Sequence, residues 1–233
     1  MAKNKNKGSR IWFILKRIFL WMFVAQLVYI IILRWVNPPF TITQLVSAAR
    51  GNGLHRDYIN YENMGPNAKL AVIAGEDQLF PDHNGFDIKE IKLAMKYNKK
   101  HPTKIRGAST ISQQVAKNVF LWQGGGFFRK GLEVYFTFMI ETLWSKERIL
   151  EMYLNVAEMG KGVFGIETAA LSYFNKEAKS LSKTEAAQIA ASLPNPVRFT
   201  VKPLCKYVAD KSQHIVGQMN NISDDTDIKD LIK

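Results

Sequence analysis

The feature that most constrains this chain is an uncharged, largely apolar run over residues 18–33, entered through Lys16-Arg17 and left through Arg34. Sixteen helical residues span about 24 Å at roughly 1.5 Å each, slightly short of a hydrocarbon core of about 30 Å. Residues 11–15 and Trp35-Val36 extend the run, provided Lys16, Arg17 and Arg34 reach towards headgroups. Trp12, Trp21 and Trp35 partly fit the enrichment of Trp at membrane interfaces. A buried helix of a soluble protein is the plainer alternative, but it needs no lysine-rich leader. A cleaved signal peptide would need small residues at its cleavage point, whereas this run exits through Arg34-Trp-Val-Asn-Pro-Pro-Phe40. The expectation is a basic cytoplasmic leader over residues 1–10 and an uncleaved single-pass anchor over 11–36. Its positive flank predicts a cytoplasmic N-terminus and a main domain on the outer face.

The formal charge of +12 suggests nucleic acid until it is located. Lys3, Lys5, Lys7, Arg10, Lys16 and Arg17 supply half of it before the anchor. The mildly basic remainder suits an anionic membrane surface or substrate equally well, and no nucleic-acid partner is expected. One cysteine, Cys205, excludes an intrachain disulfide. No Cys/His cluster has zinc spacing, and His83 and His101 are too isolated to propose as ligands, so no metal site is predicted from a direct ligand motif.

Residues 37–66 read as a connector, with Pro38-Pro39, Gly51-Asn-Gly53 and Met64-Gly-Pro66, and a short helix or strand near residues 42–50. Helix signals dominate from Asn67, which can cap a segment ending at Glu76-Asp77. Asp87 can cap the next helix, with Ile88, Ile91, Met95 and Asn98 on one side. Thr110 and Gln113 have capping-box spacing, as do Ser182 and Glu185. Leu132, Tyr135, Phe136, Met139, Ile140, Leu143 and Trp144 follow a helical apolar rule, while Glu133, Thr137 and Glu141 stack along a different face. Further helices are expected over residues 145–156, 166–174 and around 207–219, before a polar tail over 221–233. No segment alternates convincingly with period two. The main domain, residues 67–220, is therefore mainly helical.

Residues 119–144 hold eight aromatics, and the helix face does not account for Phe127-Phe128 beside Gly124-Gly-Gly126. They are either extra core or an apolar flap that touches lipid. Ser180-Leu-Ser-Lys183 matches S-x-x-K, but S-D-N and K-T-G are absent, and the segment reads as a helix cap.

Two acids in separate helical blocks, Glu76 and Glu133, are the candidate catalytic pair. Paired carboxylates serve glycosyl transfer or hydrolysis, one handling the acceptor's proton and the other the leaving group. Lys117, Arg129 and Lys130 flank Glu133, which suits a phosphate-type leaving group better than a sugar alcohol. Arg129-Lys130 could also be a solvated helix start, although cations are unfavourable at that end of the dipole.

Five ordered motifs over about residues 67–200 resemble the bacterial peptidoglycan glycosyltransferases (glycosyltransferase family 51) in their monofunctional, membrane-anchored form. They are Glu76-Asp-x-x-Phe80-x-x-His83-x-Gly85, Arg106-Gly-Ala-Ser-Thr-Ile-Ser-Gln-Gln-x-Ala-Lys-Asn118 and Arg129-Lys-x-x-Glu133. Lys146-x-Arg-Ile-Leu-Glu-x-Tyr-Leu-Asn155 and Gly165-Ile-Glu-Thr-Ala-Ala170 complete the set. The resemblance implies a mainly α, lysozyme-like fold with a large lobe and an apolar jaw over residues 119–144. It implies an enzyme that polymerises lipid II into glycan strands at the outer, periplasmic face of the cytoplasmic (inner) membrane. Carried over by position, Glu76 is the general base on the acceptor's 4-hydroxyl, and transfer inverts the anomeric carbon and releases undecaprenyl pyrophosphate. Glu133 is the second essential acid. Lys117, Arg129 and Lys130 hold phosphates, and Ser109, Thr110, Gln114 and Asn118 shape the cleft. Asp77, Phe80, His83 and Gly85 support the loop around Glu76.

The same resemblance implies a divalent cation, Mg or Mn, accompanying the pyrophosphate, and no organic cofactor. Its implied partners are lipid II, the growing lipid-linked strand, membrane lipid, a separate transpeptidase and other cell-wall machinery. Two departures stand out: Gly124 to Gly126 replace an Arg-Ser frequent in related sequences, and residues after Val201 match only loosely. A lysozyme-like peptidoglycan hydrolase is the alternative enzyme, and a membrane-anchored basic scaffold the alternative outside enzymes. The cations beside Glu133 argue against the first, and motifs centred on acids and amides against the second.

Overall fold

From Ser9 onward, helix α1 (Lys5–Ile32) leaves most of its side chains exposed, including Trp12, Phe19 and Trp21. Residues Ser9–Ile32 make it long and apolar enough to cross a membrane. The computed structural model describes residues 5–103 and 106–233, so the first four residues of the basic leader lie outside the described residues. The helix stops at Ile32, and residues 33–36 continue as turn and bend before Pro38-Pro39. Lys16 lies over the ring of Trp12 at 5.1 Å and Arg34 over Trp35 at 5.3 Å, so each charge sits against an aromatic face.

This helix belongs to one unit, Met1–Asn37, and the rest of the chain, Pro38–Lys233, forms another. The second unit is mainly helical: α2 (Ile42–Ala49), α3 (Pro66–Glu76), α4 (Ile88–Lys100), α5 (Ile111–Phe120), α6 (Phe127–Leu143) and α7 (Lys146–Val156) come first. Then follow α8 (Ile166–Phe174), α9 (Lys183–Ser192), α10 (Lys206–Ile222) and α11 (Thr226–Ile232). A small sheet joins β1 (His55–Arg56), β3 (Val163–Phe164) and β2 (Glu158–Gly160), with β1 parallel and β2 antiparallel to β3. Strands of two or three residues are too short to display a period, which is why sequence patterning misses them.

Helix α3 is the central rod: residues 68–74 are all buried, and it packs against α9 and α10 while α5 packs against α6 and α7. Its N-cap is Gly65 with Pro66 in the first turn, not Asn67, whose side-chain amide donates to Leu181 O at 2.8 Å. Proline suits the first turn because its missing N–H has no helical partner there. Asp87, Thr110 and Ser182 do cap their helices, the last two through capping boxes.

Two apolar patterns behave unexpectedly. On α4 only Ala94 is buried, whereas Ile88, Leu93 and Met95 are exposed. On α6 the polar stripe turns inward, with Glu133 and Thr137 buried beside Ile140, and Val134 and Phe138 outward. Phe127 is 98% exposed and Phe128 75%, so neither is core, while Phe120 stacks on Phe136 with centroids 4.6 Å apart. The segment 119–144 thus divides into a packed half and an apolar projection. The polar tail also corrects the expectation: α11 buries Ile228 and Leu231, and the otherwise costly buried Lys69 donates to Ile232 O and Lys233 O at 3.3 and 3.4 Å.

Candidate active site

Glu76 is the last residue of α3, where the backbone leaves the helix at Asp77. The carboxylate is half-buried and accepts a 2.7 Å hydrogen bond from Gln114 Nε2 of α5. The buried Tyr153 hydroxyl of α7 lies 3.3 Å from Gln114 Oε1 and donates to it. An amide accepting from Tyr153 at its oxygen must present its nitrogen to Glu76. Desolvation, aided by the neighbouring Asp77, pushes the Glu76 carboxyl up, while Gln114, Lys211 and Lys117 pull it down. Burial also pushes the Tyr153 hydroxyl up, with Glu76 and Asp77 adding to it, so it remains a donor.

Asp77 has a different task. Its buried carboxylate accepts from Ile111 N, at the start of α5, at 3.0 Å and contacts His83 Nε2 at 3.0 and 3.1 Å. His83 Nδ1 accepts from Gly85 N at 3.1 Å, so the proton of the neutral ring lies on Nε2, pointing at Asp77. Thr110 Oγ1 then donates to Gly85 O at 2.7 Å. Lys146 Nζ donates to His83 O at 2.5 Å, lies 4.5 Å from the centroid of the buried Phe80 ring, and pairs with Glu141 at 2.9 Å. Phe80, His83 and Gly85 thus belong to one strut between α3, α5, α6 and α7.

The second acid, Glu133, is 3% exposed on the inward face of α6. Arg129 Nη1 contacts one of its oxygens at 2.8 Å and Lys130 Nζ the other at 2.5 Å. Arg129 Nε is buried and has no hydrogen-bond partner among the described residues. Lys117 of α5 feels both Glu76 and Glu133, which places it between the acids; burial lowers its ammonium's pKa, and Arg129 and Lys130 add to that. Three cations therefore face one carboxylate, an excess suited to an anionic group.

Ser109 is exposed just before the α5 cap, and Thr110 is the cap itself. The buried Asn118 accepts from Gln123 Nε2 at 3.0 Å, which also reaches Thr43 Oγ1 at 3.2 Å, so it ties α5 to α2. Sequence reasoning missed two neighbours. Tyr153 stood inside a quoted motif, but nothing in the motif assigned it to Gln114. Lys211 lies on an ordinary amphipathic helix outside every motif.

Both oxygens of Glu133 are taken by cations, and among the described residues no group of three or more His, Cys, Asp or Glu is placed to hold a metal ion. These residues do not fit a protein-held divalent cation.

The desolvated Glu76 at the end of α3, the cation-held Glu133 of α6 and Lys117 of α5 make up the candidate site. The transglycosylase family model matches residues 43–220, and the chain belongs to that family. It is 47% identical over 214 residues to the biosynthetic peptidoglycan transglycosylase of Pseudomonas putida (strain GB-1), covering 89% of this chain and 90% of that protein. The protein of the same name from Mannheimia succiniciproducens is 55% identical over 166 residues, covering 71% and 68%. That of Yersinia pestis (strain Pestoides F) is 43% identical over 233 residues, covering 97% of each.

Proposed function

We propose that this glycosyltransferase of peptidoglycan synthesis polymerises lipid II, with Glu76 as the general base and the Glu133 group as the leaving-group site. The observation that carries the reading is the division of labour in the cleft. Glu76 is desolvated and hydrogen-bonded at one oxygen, whereas Lys117, Arg129 and Lys130 gather at the other acid.

The acceptor's 4-hydroxyl gives its proton to Glu76 as its oxygen attacks the anomeric carbon of the growing strand. The bond from that carbon to the pyrophosphate breaks on the opposite face, which inverts the centre. A pyrophosphate departs as an anion and needs charge stabilisation more than a proton, and the surplus cations supply it. Hydrolysis of finished glycan would instead need an acid to protonate a sugar oxygen. Glu133, held at its two oxygens by Arg129 and Lys130, is poorly suited to that task, so the lytic alternative is not favoured.

Asp77, Phe80, His83, Gly85 and Thr110 hold the acceptor end, and Ser109 and Asn118 border the cleft. A divalent cation, Mg or Mn, would travel with the pyrophosphate and not with the protein. The exposed Phe127 and Phe128 would be available to meet the lipid of a lipid-linked substrate. The basic flank of α1 supports a cytoplasmic N-terminus and a catalytic unit outside the inner membrane. A separate transpeptidase would cross-link the product.

The test is the full chain in detergent with labelled lipid II and a divalent cation. Wild type should make long strands and Glu76→Gln none, with an unchanged fold. Polymerisation by Glu76→Gln near the wild-type rate would remove the base, and soluble fragments from finished peptidoglycan without polymerisation would favour the hydrolase.

A further inference from the structure

Helix α10 carries none of the motifs that mark the site, yet it forms a wall beside Glu76. Gly75, the preceding residue, lies so close to α10 that a Cβ there would come within 3.2 Å of Ile215 Cδ1. Gln78, two residues beyond Glu76, donates through Nε2 to Gln218 Oε1 at 3.1 Å. Tyr207, Lys211, Ile215 and Gln218 succeed one another at spacings of four, four and three, so they share one face of the helix. Lys211 therefore stands one turn before Ile215, the residue packed against Gly75. Lys211 is half-buried and forms none of the ion pairs found among the described residues.

We propose that Lys211 is a positioning residue for the transfer reaction: it offsets the desolvation of Glu76 and keeps that carboxylate ionised to receive the acceptor's proton. This rests on the role of Glu76 proposed above. Every neighbouring element contributes to the balance. From α5, Gln114 donates a hydrogen bond and Lys117 supplies a cation; Asp77, held by His83, opposes them. From α7 comes the neutral Tyr153, and from α10 come Lys211 and the phenol of Tyr207, which burial and Glu76 hold protonated. Lys117 is shared with Glu133 and, in the reaction, with the departing pyrophosphate. Among the described residues, Lys211 is the other cation that acts on Glu76. Its attraction weakens once salt shortens the screening length, about 8 Å at physiological strength.

The experiment is kcat/KM for lipid II polymerisation by the full chain in detergent, from about pH 5 to about pH 9. Lys211→Met should move the acid limb to higher pH, so its deficit is large in acid and closes towards alkaline pH. Lys211→Arg should return the limb to its wild-type place. In the wild type, added salt should move the limb in the same direction as Lys211→Met, and by less in that variant. A Lys211→Met deficit equal at every pH, or a limb that stays in place, would overturn the assignment. Should Lys211→Met not fold, a wild-type limb insensitive to salt would overturn it equally. Glu76→Gln in parallel separates the two ideas. An active Glu76→Gln variant sinks the base reading itself, whereas an inactive one with an unmoved Lys211→Met limb sinks only the role of Lys211.

Discussion

Replacing Gly85 with alanine tests whether the strut beside Glu76 is as tightly fitted as its geometry indicates. Gly85 has φ +83°, in the left-handed region, which costs an L-residue roughly 1–2 kcal/mol. Its new Cβ would lie 2.7 Å from Thr137 Cγ2 and 2.9 Å from Glu141 Cγ. Neither neighbour can swing aside freely. Thr137 is buried and donates to Glu133 O at 2.7 Å, while Glu141 is held by Ser112 and by Lys146 at 2.9 Å. Forcing an extra methyl group into such a contact costs about 1–3 kcal/mol. The sum, roughly 2–5 kcal/mol, should lower Tm by about 4–20 °C for a domain of this size. Because Gly85 also anchors His83 and Thr110, lipid II turnover should fall with stability. Gly131→Ala is the matched control. Its Cβ meets open space on α6, so removing a helical glycine should stabilise by about 0.5–1 kcal/mol. The assay is thermal unfolding in detergent followed by dye fluorescence. A Gly85→Ala protein melting within about 1 °C of wild type would refute the packing argument.

Two further perturbations follow from the same contacts. Tyr153→Phe removes the hydroxyl that orients the Gln114 amide, so polymerisation should slow several-fold with the melting temperature nearly unchanged, since the ring stays buried; an unaltered rate would show that Gln114 holds its orientation unaided. Glu185 is held down to about 2 by Lys176 and the Ser182 cap. Its stabilisation is therefore complete above the ordinary carboxylate range and lost as pH falls towards about 2. Since the Lys176 partner is largely solvated and Gln can also complete the capping box, Glu185→Gln should cost only about 0.2–1 kcal/mol at neutral pH. The deficit should vanish near pH 2, and denaturant titrations showing one as large in acid as at neutrality would contradict the assignment.

Much of the helical layout was legible because its signals are local. Asp87, Thr110 with Gln113, and Ser182 with Glu185 announce helix starts through side chains that reach only three residues ahead. Asn67 misled because Gly65-Pro66 offered a competing start just upstream. The polar stripe of α6 misled for a different reason. Periodicity reports that Glu133, Thr137 and Glu141 share a face, but not which face turns inward. That depends on Gly85 and α5 approaching from elsewhere in the chain.

The sequence by itself determined the apolar helix, the helical class of the rest, and the two acid-bearing blocks. Each follows from hydropathy, capping or motif order within a short window. Only the tertiary structure decided which groups meet. It brought Gln114 and Tyr153 to Glu76, turned Asp77 away onto His83 and the start of α5, and set Lys117 between the two acids. It also brought Lys211 from a distant helix towards Glu76, and left Phe127 and Phe128 in the open. The physical reason is the range of the forces involved. Backbone preferences act over a few residues, whereas desolvation and charge act on whatever the packed helices bring together.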